Sequence, residues 1–200
     1  MRFLNHSLDK LREYSDIAEI GDIARRYFAM NAFDGVLTII GVLMGNYTAG
    51  VRAPLVVVST GLSTCVAMGI SGLWGAYLTE SAERRRSLDI LENHTLTDLS
   101  ATKIGQASRV AVIIVALVDG LAPFASALVV LLPFFFAAFL ADIILSYVLS
   151  LGLALATLFA LGAFLGKVSK GNLILSGLRM IGAGLICILL SYLLDLNNGL

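Results

Sequence analysis

Five apolar tracts, separated by short polar segments, restrict this chain more than any other feature. Charged residues gather at 2–26, 80–109 and 167–179, and between them lie stretches long enough to cross a bilayer. A membrane helix needs about 20 predominantly apolar residues, because the hydrocarbon layer is about 30 Å thick and each helical residue rises 1.5 Å. Only 14% of the residues are charged against 58% hydrophobic, and the mean hydropathy is +0.89. That composition excludes an ordinary soluble globule.

Read against glycine, proline and charge as breakers, the tracts predict spans at 29–48, 54–78, 108–132, 136–165 and 173–194. The expected fold is all-α, a polytopic membrane bundle of five transmembrane helices. Residues 1–28 form a cytoplasmic amphipathic N-terminal helix, lying on the membrane or extending the first span. Residues 29–79 hold spans one and two, 80–107 a short loop rich in acids and bases, 108–194 spans three to five, and 195–200 a tail. Arg2, Lys10, Arg12, Arg25, Arg26, Arg84–Arg86, Lys103, Arg109, Lys167, Lys170 and Arg179 all fall on one side, and Arg52 alone on the other. Positive residues stay in the cytoplasm. The N-terminus is therefore expected inside and the C-terminus outside, in a prokaryotic plasma membrane.

A repeat is also expected. Asp34-Gly35 in span one matches Asp119-Gly120 in span three, and Arg25-Arg26 upstream matches Arg109. The segment 74-WGAYL-78 matches 161-LGAFL-165; Gly75 follows Asp34 by 41 residues, and Gly162 follows Asp119 by 43. Spans one and two thus read as a hairpin repeated in parallel by spans three and four, with the fifth helix unpaired. Transport sites commonly sit between such repeats.

Asp34 and Asp119 set the chemical question. A carboxylate among acyl chains costs at least about 2.5–3.5 kcal/mol, so each acid is expected against protein or water, or protonated. Helical spacing puts Thr38, Gly41, Gly45 and Thr48 on the face of Asp34. It aligns Thr60, Thr64, Met68, Ser71 and Gly75 in span two, and Asp142, Ser146, Ser150 and Thr157 in span four. These stripes outline a polar path, with Asp142, Thr38 and Thr64 as candidate relays. The bland reading is open beside it: membrane serines and threonines bond to their own helix carbonyls, and the glycine pairs Gly41/Gly45 and Gly162/Gly166 serve helix packing.

Carboxylate oxygens with the Met68 thioether suit iron(II) or a related first-row divalent ion better than magnesium or calcium. A carboxylate in a low-dielectric site also binds protons more tightly. Metal and proton then compete for one set of oxygens, which is a basis for antiport without a nucleotide. No phosphate-binding loop is present, and neither a His-Glu zinc motif nor Gly-x-Ser-x-Gly, so an enzyme is not expected. Cys65 and Cys187, each in an apolar tract, are expected as free thiols. His6 and His94 have no ligand spacing. Glu80 and Glu83, one turn apart on a helix leaving span two, can gather cations at the cytoplasmic mouth, or be a solvated helix end neutralised by Arg84–Arg86.

The segments 33-FDGVLTIIGVLMG-45 and 67-AMGISGLWGAYLTESAERR-85, with the five-span, N-inside layout, resemble the vacuolar iron transporter family in a short archaeal-type form. The resemblance implies a homodimer that exports ferrous iron or manganese from the cytoplasm in exchange for protons. It implies that Asp34 matches the family's metal-translocating aspartate and Met68 its second-span methionine. No tightly bound cofactor is implied; Fe2+ or Mn2+ is cargo, the bilayer and a second copy are partners, and no nucleic acid is expected. Two departures stand out. The 80–107 loop is shorter than the family's glutamate-rich metal-collecting domain, and Thr60 and Thr64 lie where a family glutamate precedes the methionine. Asp119 is an acid where those members lack one, and it is expected on the metal path beside Asp34 and Met68 as a substitute for that missing charge. A membrane scaffold in which the acids only fix helix pairing, or a proton-coupled carrier of another solute, would carry the same tracts.

Overall fold

The computed structural model describes residues 20–137 and 142–198, and the side chains of these up to residue 194. Five helices account for nearly all of them: α1 Ile20–Thr48, α2 Pro54–Thr95, α3 Lys103–Phe135, α4 Ile143–Val168 and α5 Leu173–Asn198. Each is long and apolar enough to cross a membrane, and the described residues contain no strand. The chain is an all-helical integral membrane protein.

The sequence punctuates these helices where backbone groups must change partners. Gly50 sits in the left-handed region at φ 70, and Val51 N–H closes back on Asn46 C=O at 3.0 Å, ending α1 in a Schellman turn. Pro54 then opens α2, at the one helical position where its missing N–H costs nothing. Asp142 and Asn172 cap α4 and α5, each accepting the N–H two residues on at 3.0 Å.

Helix ends differ from expectation in three places. The amphipathic segment is described only from Ile20, and there it is continuous with span one; residues 1–19 lie outside the described part. The polar segment after span two is not a loop at first, because α2 runs on to Thr95. No glycine or proline interrupts 76–104, and Glu80–Arg84 adds an i,i+4 pair in the favourable order. Third, α3 passes through Pro123 and Pro133 and ends at Phe135, whereas α4 starts at Ile143, later than the 136 expected for its span.

The chain divides into two compact units. One comprises 20–28 of the described residues with Ile70–Leu121; the other comprises Ala29–Gly69 with Ala122 onward. The second holds the main core, in which Val36, Ile39, Ile40 and Leu43 of α1 meet Val57 and Cys65 of α2, Val130 and Leu131 of α3, and Leu158 of α4. At one end of this unit Tyr147 is wedged between Phe134 and Tyr47, ring centroids 4.9 and 5.3 Å away. Its hydroxyl donates to Val51 C=O at 3.0 Å, fastening the α1–α2 turn to α4. Helices α4 and α5 form a close hairpin, with Gly162 against the backbone of Ser176 and Gly177.

Ser146 and Ser150 are fully buried in this unit, and among the described residues neither hydroxyl has a hydrogen-bond partner. An unpaired buried hydroxyl costs roughly 1–3 kcal/mol. Ser146→Ala is therefore expected to leave thermal stability in detergent unchanged or to raise it. A fall in melting temperature would show that the hydroxyl is engaged.

Candidate functional site

The second unit positions Asp34, Thr38, Thr64 and Met68. Along α1, the residues at 32, 36, 39, 40 and 43 are buried, which turns Asp34, Thr38 and Gly45 outward. All three are exposed, and a Cβ added at Gly41 or Gly45 would meet nothing within 4 Å. The acid thus stands at the head of a bare, small-residue strip on the surface of this unit. Met68, on α2, is half-buried. Asp34 lies 14 residues before the end of α1 and Met68 14 residues after the start of α2. At 1.5 Å per residue both lie about 21 Å from the turn, at one level of the hairpin. Asn46 spans that hairpin, donating from Nδ2 to Thr60 Oγ1 at 3.1 Å.

Several hydroxyls of the expected stripes are engaged locally. Thr60 and Thr64 donate to the carbonyls of Val56 and Thr60 at 3.0 and 2.8 Å, and Thr157 to Leu153 at 2.8 Å. Asp142 is exposed and acts as the α4 cap, so it stands outside the stripe that holds the buried Ser146 and Ser150.

The first unit holds Glu80, Glu83 and Asp119. Tyr27 of α1 donates its hydroxyl to Glu80 Oε1 at 3.2 Å, while Arg84 Nε lies 3.3 Å from Glu80 Oε2. Glu80 and Arg84 are only 14% and 16% exposed. Glu83 is exposed beside them, and both acids line a cavity of about 350 Å3 with Arg26 and Arg84. Asp119 is 9% exposed, at the point where α3 meets α2. A Cβ on Gly72 would come within 2.8 Å of the Asp119 carbonyl oxygen and 3.2 Å of Gly120 Cα. In the second unit Gly35, beside Asp34, is packed as closely: a Cβ there would come within 2.5 Å of the Pro123 carbonyl oxygen of α3. The two acids are not equivalent, since one is bare and the other buried.

Among the described residues no three His, Cys, Asp or Glu side chains converge to hold a metal ion. Cys65 and Cys187 are free thiols, and Cys187 Sγ lies 3.8 Å from Leu37 C=O. The Tyr27–Glu80–Arg84 cluster was not foreseen as a unit. Tyr27 and Glu80 are 53 residues apart, and only the i,i+4 spacing of Glu80 and Arg84 hinted at half of it.

The sequence profile of the VIT family matches residues 89–195. The chain is also 30% identical over 178 residues to an uncharacterized protein of Methanocaldococcus jannaschii, covering 88% of this chain and 90% of that one. The chain belongs to the VIT family. As a VIT family member it is a membrane ion transporter. The profile match begins after α2 has left its apolar part, so it takes in Asp119 and Asp142 but not Asp34 or Met68.

Proposed function

We propose that this VIT family protein is a proton-coupled exporter of divalent transition metal, ferrous iron or manganese, working as a homodimer. The observation that supports this reading is the outward strip of Asp34, Thr38, Gly41 and Gly45 along the membrane-spanning part of α1. Facing acyl chains, the ionised acid would be strongly disfavoured. A second copy laid on the glycines covers it, because small residues let two helix backbones approach closely.

Pairing also doubles the donor set. Asp34 and Met68 give one protomer a hard oxygen and a soft sulfur, too few for the tetrahedral or octahedral shells of first-row ions. Two copies bring two of each. Protons compete with metal for the Asp34 oxygens, so a proton arriving from the far side releases the ion and couples the two flows. Glu80 and Glu83 concentrate cations at the mouth on the Lys/Arg-rich side, taken as cytoplasmic, with Arg84 holding Glu80 in place. Asp119, buried at a helix crossing, serves the fold or a proton step rather than metal binding.

Proteoliposomes with an imposed pH gradient test this reading. Iron(II), kept reduced, and manganese(II) are expected to move against the proton flow with saturable kinetics, while magnesium and calcium compete weakly. Gradient-independent flux, or none for any first-row metal, would leave the scaffold and other-solute readings in its place.

A further inference from the structure

Within the first unit, the polar arm of α2 and the start of α3 enclose a cavity of about 610 Å3. Arg84, Arg85 and Arg109 line it together with Asp89, Glu92 and Asp98. Such a lining is formally neutral, yet its charges are sorted by position. Along α2, leaving the apolar part, the order is Arg84, Arg85, Asp89, Glu92. At 1.5 Å per residue the two carboxylates stand about 6–12 Å farther from the apolar segment than the guanidinium groups. On the other wall, Arg109 adjoins the apolar run that starts at Val110, whereas Asp98 precedes α3 altogether. Both walls set cations nearest the membrane-spanning part and anions farthest from it.

Two of the acids are fixed in that arrangement. Glu92 Oε1 accepts the Leu99 N–H at 2.8 Å, and Asp98 Oδ1 accepts the Ser100 N–H at 2.8 Å. The Ser100 hydrogen bonds hold the Asp98 carboxyl below its usual range, so it stays ionised near neutrality.

We propose that this cavity takes the headgroup of a zwitterionic, amine-bearing phospholipid, its phosphodiester at the arginines and its ammonium at the carboxylates. Guanidinium forks match phosphate oxygens in pairs. In a phospholipid the phosphate lies next to the acyl chains and the amine beyond it, which is the order of charge in the cavity. A bare divalent cation would meet three arginines, and a phosphate without an amine would meet three carboxylates. A quaternary amine has no N–H to offer the acids. Occupied in this way, the cavity ties the polar arm of α2 to the bilayer surface.

Lipid retention can be measured by native mass spectrometry, and melting by thermal shift, after reconstitution in nanodiscs of phosphatidylethanolamine, phosphatidylglycerol or phosphatidylcholine. Wild type is expected to retain and be stabilised by phosphatidylethanolamine above the other two. Arg85→Ala/Arg109→Ala should cut that retention by about tenfold or more, since the loss of even one charge-assisted hydrogen bond is on that scale. Asp89→Asn, at an exposed position, should keep the fold and shift preference toward phosphatidylglycerol. If the double arginine variant does not fold, this shift alone decides. Equal retention of all three lipids, or an unchanged preference in Asp89→Asn, would overturn the proposal. So would equal protection by soluble phosphoethanolamine or inorganic phosphate, which would mark a site for soluble phosphate compounds.

Discussion

Asp34→Asn is expected to lower metal flux by about 100-fold while leaving the protomer folded. The carboxylate is exposed and lies opposite the buried residues of α1, so an isosteric amide disturbs no core contact. It does remove a charged ligand. A charged hydrogen bond or ligand in a water-poor site is worth roughly 1.5–3 kcal/mol, and 1.4 kcal/mol is a factor of ten. Residual flux should lose its dependence on the pH gradient as well, because an amide cannot take up the proton that displaces the metal. Asp34→Glu should recover part of the rate. The measurement is initial uptake of manganese in proteoliposomes at several gradients, with thermal stability recorded beside it. Full gradient-driven flux in Asp34→Asn would remove Asp34 from the mechanism.

Gly41→Leu and Gly162→Leu are expected to fail in different ways, although both alter a Gly-x-x-x-Gly pair. A Cβ at Gly162 would lie 2.5 Å from the Ser176 carbonyl oxygen and 2.7 Å from Gly177 Cα. Backbone cannot give way as a side-chain tip can. Forcing α4 from α5 should cost about 3 kcal/mol or more, seen as loss of folded monodisperse protein or a large fall in melting temperature. At Gly41 there is open space, so leucine should leave protomer stability within about 0.5 kcal/mol. Its effect should fall on pairing: cross-linking or light scattering in detergent should show monomer, and flux should drop with it. An unchanged dimer in Gly41→Leu would move the interface off this strip.

Much of the fold was legible because a bilayer leaves few alternatives. Backbone groups in hydrocarbon must bond within their own segment, so a long apolar tract can only be a helix. Tract length and the breakers Gly50, Pro54 and Asn172 were enough to place five of them. The polar arm of α2 was harder to read, since charge marks the end of a span but not the end of a helix. Prolines misled for a related reason: Pro133 removes one hydrogen bond near a terminus, which α3 tolerates for two more residues.

The site was legible only as residue types. Sequence marks Asp34 and Asp119 alike, each an acid before a glycine in an apolar run, and gives no means of telling them apart. Thr60, Thr64 and Thr157 looked like parts of a path, yet their hydroxyls close on carbonyls of their own helices. The glycine pairs at 41/45 and 162/166 read identically, though one is filled by α5 and the other is bare.

What the sequence determined by itself is therefore the one-dimensional part: how many helices, where hydrocarbon ends, and which side chains carry charge. Those follow from solvation, which acts residue by residue along the chain. The tertiary structure alone decided which acid is covered, which glycines touch a neighbour and which arginines share a cavity with which carboxylates. Those depend on helix rotation and contact between residues far apart in the chain, and side-chain type does not encode either one.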